Sequence, residues 1–128
     1  MEELFKLGLN ENEIKSIYNI NEYIIDEDII KMIYILEKIN CTEKHIKNII
    51  LSNPLYLSRS VSDVIELINK LDSLGITNLN IVFDSNPYLL NKDAFEIEEF
   101  INKKLKDGMI LEDIVDIIDS NSYVIDEL

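Results

Sequence analysis

A chain of 128 residues, 47% apolar and 29% charged, is long enough to bury one hydrophobic core, so residues 1–128 read as a single domain. No stretch approaches the roughly 18–20 apolar residues that a membrane span needs. The formal net charge of −13 opposes non-specific attraction to nucleic acid or anionic lipid and favours a cationic partner.

The chain opens on "MEELFKLGLNENE", an acidic stretch without the basic and apolar regions of a signal peptide or the arginines of a transit peptide. A cytoplasmic location is expected, and the single cysteine, Cys41, fits a reducing compartment. Usage rich in Ile, Asn and Lys and poor in Gly, Pro and Ala points to an AT-rich genome, bacterial or phage. "EELFKLG" reads as the end of a helix stopped at Gly8. A short helix follows with Ile14, Ile17 and Tyr18 on one face, then a turn at Asn21 and the apolar run Tyr23, Ile24, Ile25. Asp26, Glu27 and Asp28 suit the N-terminus of a longer helix, whose stripe is Ile29, Met32, Ile33, Leu36 and Ile39, with Asn40 at its stop.

The cycle then restarts. Thr42 is the expected cap of a short helix carrying Ile46, Ile49 and Ile50. "SNPLYLS" is a turn in which Pro54 ends one helix and begins a short helical turn, with Asn53 as its N-cap and Leu55, Tyr56 and Leu57 pressed into the core. Ser60 and Asp63 form an expected capping box, and Val61, Val64, Ile65, Ile68, Leu71 and Leu74 form the next long stripe, stopped at Gly75. Thr77 is the expected cap of a third short helix with Leu79, Val82 and Phe83. "SNPYLLN" repeats the turn, with Asn86 as N-cap, before a long helix with Ile97, Phe100, Ile101 and Leu105, stopped at Gly108. A last short helix bears Ile114, Ile117 and Ile118, and after Asn121 come Tyr123, Val124 and Ile125 with no long helix to cover them.

Anchored on Asn21, Asn53, Asn86 and Asn121, the offsets −7, −4, −3, +2, +3 and +4 are apolar or aromatic in all four copies. The fold class expected is therefore all-α: a helical-repeat solenoid of about three and a half units, each a short helix, an NP-type turn and a long helix. The tyrosines Tyr23, Tyr56, Tyr88 and Tyr123 recur within the turn and are expected in the repeat core rather than as base-stacking platforms.

The segments "IKNIILSNPLYLSRSVSDVIELINKLDSLGIT" and "IVFDSNPYLLNKDAFEIEEFINKKLKDGM" resemble the repeat of the mitochondrial transcription termination factor (mTERF) family. The resemblance lies in "NPYLL" and "LDSLGIT", which match a P-x-L-L-like turn and a long helix ending L-x-x-L-G-I; Glu22 and Ser122 replace the proline in the outer copies. It implies a curved, left-handed superhelix of helical repeats whose members bind nucleic acid along a basic concave groove. This chain departs from that pattern in being short, strongly acidic and limited to one arginine, Arg59.

Charge is unevenly spread. Residues 38–61 carry Lys38, Lys44, Lys47 and Arg59 against Glu43, a net +3, whereas residues 93–128 carry −8. Two surfaces follow. Glu112, Asp113, Asp116 and Asp119 lie opposite the apolar face of the last short helix, as a solvated face or as an acidic strip that docks on a basic protein. Lys38, Lys44, His45, Lys47 and Arg59 form a nucleic-acid patch or a simple scatter over helix surfaces. Tyr123, Val124 and Ile125 offer an apolar end for a homodimer or another protein, unless the C-terminus folds over them.

Cys41 and His45 stand four apart, but no further Cys or His completes a metal site, and neither EF-hand loop nor Gly-rich phosphate loop occurs. No nucleophile stands beside a base, and no catalytic, cofactor-binding or metal residue is assigned. The expectation is a non-enzymatic interaction module without cofactor. It binds a basic protein partner, for example as an inhibitor or charge mimic acting on a nucleic-acid-handling protein. RNA or DNA binding by the basic middle is the alternative.

Overall fold

The computed structural model describes residues 1–120, which form helices joined by short connections. In chain order these are α1 (Glu2–Lys6), α2 (Glu11–Ile20), α3 (Asp26–Lys38), α4 (Glu43–Ser52), α5 (Val61–Ser73), α6 (Leu79–Ser85), α7 (Ala94–Lys106) and α8 (Leu111–Ser120). Two 3₁₀ turns, Pro54–Ser58 and Pro87–Asn91, link α4 to α5 and α6 to α7. Like elements stack: α3 on α5, α5 on α7, α4 on α6, and one 3₁₀ turn on the other. This is the expected all-α helical-repeat solenoid, with a continuous core running through the stack.

Each long helix buries one stripe. Ile29, Met32, Ile33 and Leu36 of α3, Val64, Leu67 and Leu71 of α5, and Ile97, Phe100 and Ile101 of α7 are buried. The α5 stripe differs from expectation. Leu67 is its centre, whereas Val61 and Ile65 are 37% and 43% exposed on the side turned toward α3, where the two helices leave a gap. In α7, Leu105 is likewise exposed.

The long helices end alike. At Gly75, φ is +91°; its N–H bonds the Asp72 carbonyl at 2.9 Å, and the Ile76 N–H reaches back to Leu71 at 3.4 Å. This is a Schellman stop, and Leu71 and Ile76 are both buried beneath it. Asn40, at φ +70°, closes α3 in the same way, with Cys41 N–H on the Leu36 carbonyl at 3.1 Å.

The starts are more varied. Thr42 caps α4 as expected, accepting from the His45 N–H at 3.2 Å while His45 Nδ1 accepts from the Thr42 N–H at 3.1 Å. Asp28 accepts from the Ile25 N–H at the start of α3. The capping box at Ser60 does not form: its hydroxyl pairs with Ser62 at 3.0 Å. Thr77 is not a cap either, because α6 begins one residue later, after Asn78.

The hinge asparagines do something other than cap. Pro54 and Pro87 open the 3₁₀ turns, but neither Asn53 nor Asn86 caps its turn with its side chain. Instead the amide of one unit reaches the hinge of the next. Asn21 Nδ2 donates to the Pro54 carbonyl at 2.9 Å, and Asn53 Nδ2 donates to the Pro87 carbonyl at 3.0 Å. The amide oxygens are met too: Ser58 donates to Asn21, and Asn91 Nδ2 donates to Asn53 Oδ1 at 3.1 Å. Asn21, Asn53 and Asn86 are the buried polar side chains among the described residues. An internal ladder of amides therefore ties hinge to hinge, at positions where an unpaired polar group would oppose stacking. Tyr56, fully buried, adds a bond of 2.6 Å from its hydroxyl to the Met32 carbonyl. Contrary to expectation, Tyr23, Leu55 and Tyr88 are 89%, 53% and 53% exposed. They hold the position two after the Asn, which faces outward, whereas Tyr56 holds the next one inward.

Candidate functional site

The α8 strip forms as a surface. Ile114 and Ile118 are buried on one side, and Glu112, Asp113, Asp116 and Asp119 are exposed on the other. Among the described residues none of the four pairs with a cation, while elsewhere Lys6, Lys15, Arg59, Lys70 and Lys92 all have carboxylate partners. The helix itself contains no lysine or arginine. Its acidic residues at spacings of three and four share one face, so their charges add rather than cancel.

The basic candidates do not form a comparable surface. Arg59 is 18% exposed at its side chain and bound within the fold: Nε donates to the Leu90 carbonyl at 3.1 Å, and Nη2 donates to the Lys92 carbonyl and the Asp93 carboxylate, each at 2.9 Å. It is a second clamp between units. Lys47 Nζ donates to the Gly8 carbonyl at 3.2 Å, bridging α4 to the end of α1. His45 is held in the α4 capping box. Lys38 lies on α3 with its ammonium 5.2 Å from the centre of the Tyr34 ring. Lys44 is exposed on the first turn of α4. Tyr123, Val124 and Ile125 lie outside the described residues.

Cys41 is 8% exposed and packs into the core. Burial, with Asp84 nearby, pushes its thiol up to about 12, so it is neither a thiolate ligand nor a nucleophile near neutral pH. Among the described residues no cluster of three His, Cys, Asp or Glu side chains is placed to hold a metal. Tyr18 donates to Asp26 at 2.9 Å, and its hydroxyl is raised to about 12 by burial and by that carboxylate.

One surface escaped the sequence reading. Between α3 and α5 runs an apolar groove of about 380 Å³. Its signal was present in α3 and α5 as more apolar residues than one buried stripe needs.

Together these features define a stacked helical-repeat protein whose interior is given over to holding units in register and whose chemistry varies on its outer faces. The chain belongs to the mTERF family, whose model matches residues 1–126. No curated protein matches it. Among the described residues, no helix is long and apolar enough to cross a membrane.

Proposed function

We propose that this chain is a non-catalytic interaction module that binds a basic protein partner through the acidic face of α8. One observation carries the reading. The four α8 carboxylates are exposed and unpaired among the described residues, whereas Arg59 clamps two repeat units, Lys47 bonds the Gly8 carbonyl and His45 is tied into the cap of α4. A cation that clamps two units together is costly to redirect toward a phosphate. A negative strip on a chain of net charge −13 attracts positive surfaces and speeds encounter with them. Inhibition or charge mimicry directed at a nucleic-acid-handling protein, in a bacterial or phage-infected cytoplasm, is the specific form this takes.

Family membership supports a second reading, nucleic-acid binding, for which Lys44 is the exposed cation on α4, with Lys47, half-buried and bonded to the Gly8 carbonyl, one turn away. Both are tested together. Immobilised wild-type chain, in extract from its source cells at low salt, is expected to retain a basic protein that salt releases and that the Asp113→Lys/Asp116→Lys variant loses. Equal retention by that variant counts against the proposal. So does a salt-sensitive shift of single-stranded RNA or duplex DNA that Lys44→Ala/Lys47→Ala removes.

A further inference from the structure

The units repeat, so each seam between long helices has an internal counterpart. Aligned on their stops, Asn40, Gly75 and Gly108, the seam α3–α5 corresponds to the seam α5–α7. In the α5–α7 seam Lys70 pairs with Glu98 across the helices. The equivalent positions in the α3–α5 seam are Ile35 and Ile65. Around them, Glu66, Asn69 and Ser73 of α5 have as counterparts Lys31, Tyr34 and Lys38 of α3. Stacking thus succeeds with a polar, ion-paired seam, and the apolar seam is not required by the fold.

The apolar seam is also open. Its groove is lined by Ile35, Ile39, Val61, Ile65 and Ile68, with Tyr34, 56% exposed, at its edge. Its charged lining groups are Lys31 and Lys38, seven residues apart on α3. That spacing is two helical turns, roughly 10 Å. Neither lysine has a carboxylate partner among the described residues, in a chain where acids outnumber Lys and Arg by 25 to 12.

We infer that the α3–α5 seam is a docking groove for an acidic amphipathic helix of a partner protein. The occupant follows from charge and spacing. An apolar ridge fills the groove between two helices, and acids at i and i+7 of that ridge meet Lys31 and Lys38 together. A single-headed amphiphile such as a fatty acid engages one lysine and leaves the other unpaired. The groove is separate from the α8 strip, and its occupant has the opposite charge to the partner proposed there.

The test uses the full chain and a fluorescein-labelled designed peptide of about 18 residues, some 27 Å as a helix, with an Ile/Leu face flanked by glutamates seven apart. Anisotropy at low salt is expected to show saturable binding, weakened by salt. Ile35→Lys/Ile65→Glu, which installs the ion pair of the neighbouring seam, should weaken it by about tenfold or more with helical circular dichroism retained. Lys31→Ala/Lys38→Ala alters two exposed side chains and should weaken it severalfold with the urea midpoint unchanged. The inference is overturned by any of three results. These are no binding to the wild-type chain, equal binding of a peptide with lysines in place of the glutamates, or displacement of the peptide by dodecanoate at comparable concentration.

Discussion

Asn53 shows how a turn-forming residue becomes an interior strut. Its side chain spends its hydrogen bonds on the Pro87 carbonyl and on Asn91, more than thirty residues away. Asn53→Ala removes these bonds and strands buried polar groups of the next unit, so it should cost about 2 kcal/mol in urea unfolding. Asn86, fully buried, has no hydrogen-bond partner for its amide oxygen or nitrogen among the described residues. Asn86→Ala should therefore cost less than Asn53→Ala. An equal cost would show that the Asn86 amide is hydrogen-bonded in solution. Arg59 belongs to the same class: Arg59→Ala should destabilise the stack, and loss of any ligand affinity would follow loss of stability rather than precede it.

At the scale of elements, the long helices depend on their stops. The φ of +91° at Gly75 lies where a side chain is strained, although a Cβ there would meet no neighbour within 4 Å. Gly75→Ala should then lower stability by about 1–2 kcal/mol through backbone strain alone. Asn40→Gly, at the same position of α3, should be neutral or stabilising, and thermal unfolding of the two variants checks both signs. These stops were legible in the sequence, as were the helices, the prolines and the recurring apolar offsets, because each rests on contacts within a few residues. The amide ladder was not: a polar residue in a turn reads as a cap until the neighbouring unit is in place. Nor was the outward tilt of Val61 and Ile65. Periodicity says that α5 is apolar over a broad face, while only the seat of its neighbours decides which part is covered. The acidic strip of α8 was legible as a face because its apolar side is unambiguous. Arg59 was misread as surface charge because its acceptors, the carbonyls of Leu90 and Lys92, are backbone atoms of another unit.

For the molecule as a whole, charge and burial oppose one another as pH rises. The Cys41 thiol goes from an ordinary value of 9.0 to about 12 on folding, and the Tyr18 hydroxyl from 10.0 to about 12. The buried Tyr56 hydroxyl shifts upward as well. A raised acid binds its proton more tightly in the folded chain than in the unfolded one. Its contribution is complete below pH 9.0 for Cys41 and 10.0 for the tyrosines, and is lost as pH climbs toward 12. Self-repulsion in a chain of net charge −13 grows in the same direction. The two causes separate with salt. At neutral pH, raising NaCl from about 20 to about 300 mM should raise the urea midpoint by screening surface repulsion. In the alkaline range that gain should persist, yet the downward slope should remain, since screening does not reach a desolvated thiol or phenol. Cys41→Ala removes one of the three groups and should flatten the slope between pH 9 and 12 even if its absolute stability falls. A slope that vanishes in salt and is unchanged by Cys41→Ala would assign the alkaline loss to surface charge alone.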